Sequence, residues 1–253
     1  MNIRRIWLTG ASSGIGAALA ECLLEQGHHL ALTARSLAAL QAFEQRYPGQ
    51  VLALPGDLGA PGVAADIGEH IKAHWGALDT AILNAGTCEY LDARQFDADM
   101  VERVVNLNLV GSARCIEAAL PLLRAGRDPH LVGVASAVTL FELPRAEAYG
   151  ASKAGLRYLL QSLRVDLASE GIDVTVVSPG FVDTPLTQRN DFPMPMRWPV
   201  ERAARYIADR LERRPLDIAF PRPFILTLGL LGSLPARLRL AIGKRLSRNG
   251  APS

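Results

Sequence analysis

A doubly wound α/β fold, one domain built on a seven-stranded parallel sheet with helices on both faces, is what this 253-residue sequence predicts. Three observations predict it. Seven short apolar, β-rich runs recur along the chain. Helix-length segments with apolar residues at three- and four-residue spacing separate them. The first run opens into a glycine-rich turn followed at once by a helical pattern.

The runs are IWLT (6–9), HLALTA (29–34), VLALPG (51–56), LDTAILN (78–84), HLVGVAS (130–136), IDVTVVS (172–178) and LDIAF (216–220). They are short and mainly apolar, and with helix-length segments between them they read as βαβ units in a parallel sheet covered on both faces. Between them, residues 18–26, 101–123 and 153–169 read as helices with one apolar face. Residues 185–199, PLTQRNDFPMPMRWP, break the rhythm with Pro185, Pro193, Pro195 and Pro199, and read as a lid or binding loop between the sixth strand and the next helix.

Hydrophobic residues make up 49% of the chain and charged residues 21%, which supports a sizeable core. A net charge of +2 is too small for a nucleic-acid binder. Cys22, Cys88 and Cys115 are odd in number and widely spaced, so neither a disulfide framework nor a zinc site is indicated, and a cytoplasmic setting is expected. The opening MNIRRIWLTG runs straight into a strand, with no apolar region of signal-peptide length. His70 and His74 lie four apart on a helix without a third ligand near them in sequence, and read as surface histidines rather than a metal site.

The glycine turn is TGASSGIG, Thr9 to Gly16. Glycines admit a close backbone approach, and the free N–H groups that open the next helix form an anion site, so a pyrophosphate fits here. Further along, Tyr149 and Lys153 are four residues apart. On a helix they share one face, where a nearby ammonium would favour the phenolate of a tyrosine whose ordinary pKa is about 10.

The T-G-x-x-x-G-x-G spacing resembles the short-chain dehydrogenase/reductase family, which is built on the Rossmann fold. The resemblance extends in order through NAG at Asn84–Gly86, Asn108 in NLNLVG, Ser136 in GVASAV, Tyr149 and Lys153 in YGASK, and SPG-x-V-x-T from Ser178 to Thr184. It covers about residues 3–184. It implies an oxidoreductase that moves a hydride between a nicotinamide and a carbonyl or alcohol. In that reading Tyr149 is the acid/base, Ser136 its partner, Lys153 the electrostatic modulator that also reaches the ribose, and Asn108 the holder of a water on a proton path to Lys153. The same resemblance implies cofactor contacts from Gly10, Ser12, Ser13, Gly14, Ile15 and Gly16, from Arg35, Asp57 and Leu58, from Asn84, Ala85 and Gly86, from Tyr149 and Lys153, and from Pro179, Gly180, Val182 and Thr184.

The second strand ends L-T-A-R, with Arg35 where an acidic residue would bond the adenosine ribose. Arginine there suits a 2′-phosphate, so NADP(H) is favoured over NAD(H), although Ser13 stands where a basic residue inside the glycine turn would strengthen the preference.

Domain 1–221 thus holds the catalytic machinery and the lid, and residues 222–253 form an apolar, basic extension. Within it, FILTLGLLGSL (224–234) is too short to span a bilayer, and ARLRLAIGKRLSR carries five basic residues and no acid. It is expected to pack on protein, on the same domain or in a homodimer or homotetramer interface, with contact with an anionic membrane surface and a disordered end as the alternatives. Phe192, Met194, Met196 and Trp198 of the lid, with Phe224, Ile225, Leu228, Leu230 and Leu231 of the extension, predict a lipophilic ketone or alcohol as substrate, the charged groups nearby being Arg189, Asp191 and Arg197. A non-catalytic NADP(H)-binding regulator on the same fold is the alternative function, set against the presence of Asn108, Ser136, Tyr149 and Lys153 together. A serine hydrolase is disfavoured because GVASAV lacks a G-x-S-x-G elbow.

Overall fold

The computed structural model describes residues 3–190 and 192–246, with the Arg189 side chain left aside. The expectations placed on that side chain, on Asp191 and on residues 247–253 of the extension lie outside the described residues. Seven described strands, β1 (Arg5–Thr9), β2 (His29–Thr33), β3 (Val51–Ala53), β4 (Thr80–Leu83), β5 (His130–Val134), β6 (Asp173–Pro179) and β7 (Asp217–Phe220), form one sheet in the order β3-β2-β1-β4-β5-β6-β7. Every pairing is parallel. The order reverses between β1 and β4, the switch point at which the carboxyl ends of the strands open a crevice.

Successive side chains of a strand face opposite sides, so β1 feeds two separate cores. Ile6 and Leu8 join a core beneath α1 (Gly14–Glu25), α2 (Leu37–Arg46) and α7 (Val200–Leu211). Trp7 joins a second core beneath α3 (Val63–Trp75), α5 (Ser112–Arg124) and α6 (Glu147–Leu167). The Trp7 ring is fully buried, and its Nε1 donates to Thr33 Oγ1 at 3.0 Å, so burial leaves no polar atom of the ring unpaired. Leu8 is also fully buried, and its truncation to alanine would cost about 2–5 kcal/mol.

The helix predicted over 101–123 is not continuous. α4 (Ala98–Val105) passes through a π-helical turn, Asn106–Gly111, before α5 begins. The reason lies in a distant part of the chain. Asn106 Nδ2 donates to Gly59 O at 2.9 Å, and a Cβ on Gly111 would sit 2.8 Å from Leu58 O, so the widened turn lets the loop after β3 come close. Two more helices, α8 (Arg222–Gly232) and α9 (Ala236–Leu246), follow β7. Leu228, Phe224, Ile225, Leu231 and Ile242 pack there against Ala137, Leu140, Phe141 and Leu143.

Candidate active site

The phosphate end is built first by β1. The strand runs into Gly10 at φ +70°, whose N–H donates to Thr33 O at 2.8 Å. The chain then turns through Ser12 and Ser13 into α1 at Gly14, φ +55°. A side chain at Gly16 is excluded, since its Cβ would lie 2.1 Å from Gly10 O. Ser13 makes no side-chain cap on α1 and the first turn holds no acid, so the opening N–H groups keep their capacity for an anion. Asn84 stitches the neighbouring turn to this one. Its Nδ2 donates to Thr9 O and Gly10 O at 3.1 and 3.2 Å, while its own N–H and that of Ala85 donate to Thr9 Oγ1 at 3.0 and 3.1 Å.

One cleft of about 270 Å³ runs from this turn to Tyr149. Gly10, Ser12, Ser13, Gly14, Ile15, Gly16, Arg35, Asp57, Leu58, Asn84, Ala85, Gly86, Ser136, Tyr149, Lys153, Pro179, Gly180, Val182 and Thr184 all line it. Pro185, Leu186 and Thr187, the start of the segment expected to be a lid or binding loop, also line it, as do Thr33, Ala34 and Leu107. Arg35 is exposed, and Asp57 Oδ1 accepts from Gly59 N at 3.0 Å, which fixes the loop after β3.

At the far end α6 presents Tyr149 and Lys153 one turn apart on the same face, since the helix begins at Glu147 and includes both. Lys153 Nζ donates to Val134 O at 2.8 Å, anchoring the ammonium to the end of β5. Ser136 follows that strand, and its Oγ accepts from Val138 N at 3.2 Å. Asn108 lines no part of the cleft. It is fully buried behind Gly86, where a Cβ would lie 3.0 Å from Asn108 Oδ1 and 3.2 Å from Lys153 Nζ. Its amide clamps the loop after β4, accepting from Thr87 N at 2.8 Å and donating to Thr87 O at 2.9 Å. The same Nδ2 donates to Ser152 Oγ at 2.9 Å, and the Ser152 hydroxyl donates to Tyr149 O at 2.8 Å. Ser152 thus links Asn108 to the first turn of α6, although in sequence it is only one of three small residues between the tyrosine and the lysine.

Burial governs the electrostatics. It pushes the Tyr149 phenol up to about 12, with the Ser136 hydroxyl working the other way, so the phenol keeps its proton at neutral pH. This differs from the lowered value that the Tyr-x-x-x-Lys spacing suggests. Burial brings the Lys153 ammonium down to about 8, still largely charged at neutral pH. Cys88 lies in the same surroundings, and burial raises its thiol to about 11 with Tyr90 and Lys153 opposing.

The lid differs in part from expectation. Trp198 points into the core, stacked on Phe220 with ring centroids 4.9 Å apart and lying 5.2 Å from Tyr206, with the Arg202 guanidinium 4.0 Å from its own centroid. Met196 and Leu230 face outward, at 52% and 68% exposure. Phe192 meets Tyr90 at 5.8 Å and Phe181 at 5.9 Å, Phe181 meets Phe224 at 5.4 Å, and the Tyr90 hydroxyl bonds to Asn190 Oδ1. An aromatic row thus links the loop after β4, the lid and α8.

The short chain dehydrogenase family matches residues 4–193 of this chain. The chain belongs to that family. Among curated relatives, an uncharacterized oxidoreductase of Myxococcus xanthus is 33% identical over 97% of this chain and 98% of its own. An uncharacterized oxidoreductase of Mycobacterium tuberculosis is 34% identical over 93% and 95%. A short-chain dehydrogenase from Streptomyces avermitilis has the same fold, with a TM-score of 0.82 at 26% identity and 99% of each chain covered. Short-chain dehydrogenases are oxidoreductases that use NAD(P)H, and the residues here fit a dinucleotide: uncapped N–H donors and an obligatory glycine at one end of the cleft, a tyrosine–lysine pair at the other.

Proposed function

We propose that this short-chain dehydrogenase interconverts a lipophilic ketone and its secondary alcohol with NADP(H), using Tyr149 as the acid/base. The observation that carries the reading is the convergence of Ser136, Tyr149 and Lys153 at one end of a cleft whose other end is the uncapped start of α1. Gly10 to Gly16 would hold the pyrophosphate, Asp57 and Leu58 the adenine side, Asn84 to Gly86 and Pro179 to Thr184 the remainder. Arg35, exposed at the end of β2 with no acid paired to it among the described residues, would take a 2′-phosphate. When bound, the nicotinamide supplies or accepts the hydride.

The chain's own groups handle the oxygen and the proton. Ser136 and Tyr149 donate hydrogen bonds to the substrate oxygen as negative charge develops on it. Tyr149, which keeps its proton at neutral pH, then passes it to that oxygen, and the Lys153 ammonium one turn along α6 stabilises the phenolate left behind. Asn108 and Ser152 hold the loop after β4 and the start of α6 in register. The aromatic row of Tyr90, Phe192, Phe181 and Phe224 supports the lipophilic substrate.

Tyr149→Phe tests the assignment. It removes only the transferable proton, so NADPH affinity by calorimetry should persist while kcat for ketone reduction falls by about 10²–10⁴. A near-normal kcat would move the acid/base role elsewhere.

A further inference from the structure

α8 and α9 turn one side toward the site and another toward solvent. The inner side packs on residues 137–143, the loop that directly succeeds Ser136. The outer side is apolar and cationic at once. Leu226 and Leu230 of α8 are 73% and 68% exposed, and Leu238 and Leu240 of α9 are 52% and 60% exposed. On α9 the exposed Arg237, Lys244 and Arg245 fall at helical spacing on one stripe, and those two leucines flank it. Arg239 is turned inward and paired with Glu142 at 2.5 Å.

Charge is partitioned along the chain in the same way. From Ile218 onward the sequence has six basic residues and no acid, whereas the 217 residues before it hold 21 basic and 25 acidic side chains. A small cationic, leucine-rich face thus projects from a body of net negative charge.

We infer that the outer face of α8 and α9 is a docking surface for a bilayer containing anionic lipid. Leu226 and Leu230, one turn apart on α8, form an exposed apolar pair that is unusual on a surface that meets only water. A basic stripe flanked by apolar side chains is the pattern by which helices lie at a headgroup boundary. No described helix is long and apolar enough to cross a membrane, so the contact is made along the surface. A second copy of the chain is the poorer occupant, because a two-fold contact would set this cationic face against itself. The inference stands apart from the catalytic reading. If that reading holds as well, docking would bring the aromatic row beside α8 close to the lipid phase in which apolar ketones dissolve.

Vesicle co-sedimentation of the full chain tests this without any turnover. Vesicles of phosphatidylcholine with 30% phosphatidylglycerol should pellet the protein, phosphatidylcholine alone should not, and 0.5 M salt should release it. Arg237→Glu/Lys244→Glu/Arg245→Glu should weaken binding by about 100-fold or more, since each basic side chain near such a surface contributes several-fold. Leu226→Ser/Leu230→Ser should weaken it while thermal melting stays within a few degrees of the parent. Indifference to lipid charge and to both variants would overturn the inference. So would failure to pellet with either vesicle, whether or not light scattering shows the leucine variant dissociating an oligomer, the sign of a subunit contact.

Discussion

Arg5 and Asp79 join β1 to the start of β4 through a paired contact, Arg5 Nη2 to Asp79 Oδ1 at 2.8 Å and Arg5 Nε to Oδ2 at 3.2 Å. The backbone N–H groups of Arg5 and Arg127 add bonds at 2.9 and 2.8 Å, and the carboxylate is 1% exposed. Burial alone would raise its pKa, but these donors outweigh it and hold Asp79 at about 2, below the ordinary 3.8. A depressed carboxyl pKa gives stability that is present above the ordinary value and lost as pH falls through the folded one. Together these bonds to the carboxylate should therefore contribute about 2 kcal/mol at neutral pH, disappearing between about pH 4 and pH 2. Urea unfolding across that range should show Asp79→Asn less stable at pH 7 and with a flatter acid limb. Parallel acid limbs for parent and variant would refute the account.

The proposed preference for NADP(H) rests on Arg35. Arg35→Asp replaces a donor fork with a carboxylate that repels a 2′-phosphate and accepts from ribose hydroxyls. Calorimetry should show NADPH affinity falling by about tenfold or more, on the order of one charge-assisted hydrogen bond, with NADH affinity held or improved. Equal losses for both would mean that Arg35 does not meet the phosphate.

The proposed apolar substrate predicts a trend in a homologous series of methyl ketones. Each added methylene buried beside Phe181, Phe192 and Phe224 can contribute about 0.8 kcal/mol, or about fourfold in kcat/KM, until the pocket is filled. Better turnover of short polar ketones would place the aromatic row in the packing of the lid instead.

The strands were legible because burial on both faces forces apolar runs, and all seven runs overlap the strands closely. The tyrosine–lysine pair was legible because four-residue spacing on a helix leaves little choice of direction. Other features depend on contacts between residues far apart in sequence. Nothing in NLNLVG announces a π-turn, for Asn108 acquires its role from Thr87 and Ser152, 21 and 44 residues away. Trp198 and Met196 look alike as apolar residues of a proline-rich loop, yet Phe220 and Tyr206 draw in the tryptophan while the methionine is left outside. The Tyr149 phenol likewise departs from expectation because desolvation, which spacing does not report, outweighs the opposing hydrogen bond of the Ser136 hydroxyl.

The widened turn at Asn106–Gly111 sets the helix against the site it serves. A π-turn amounts to one residue more than the regular repeat requires, and an α-helix advances about 100° per residue, so losing that residue would restore the ordinary ladder and swing Asn108 away from Ser152. The better helix and the assembled site are alternative outcomes of one length of chain. A shorter segment would give a more regular helix and forfeit the Asn108–Ser152 contact.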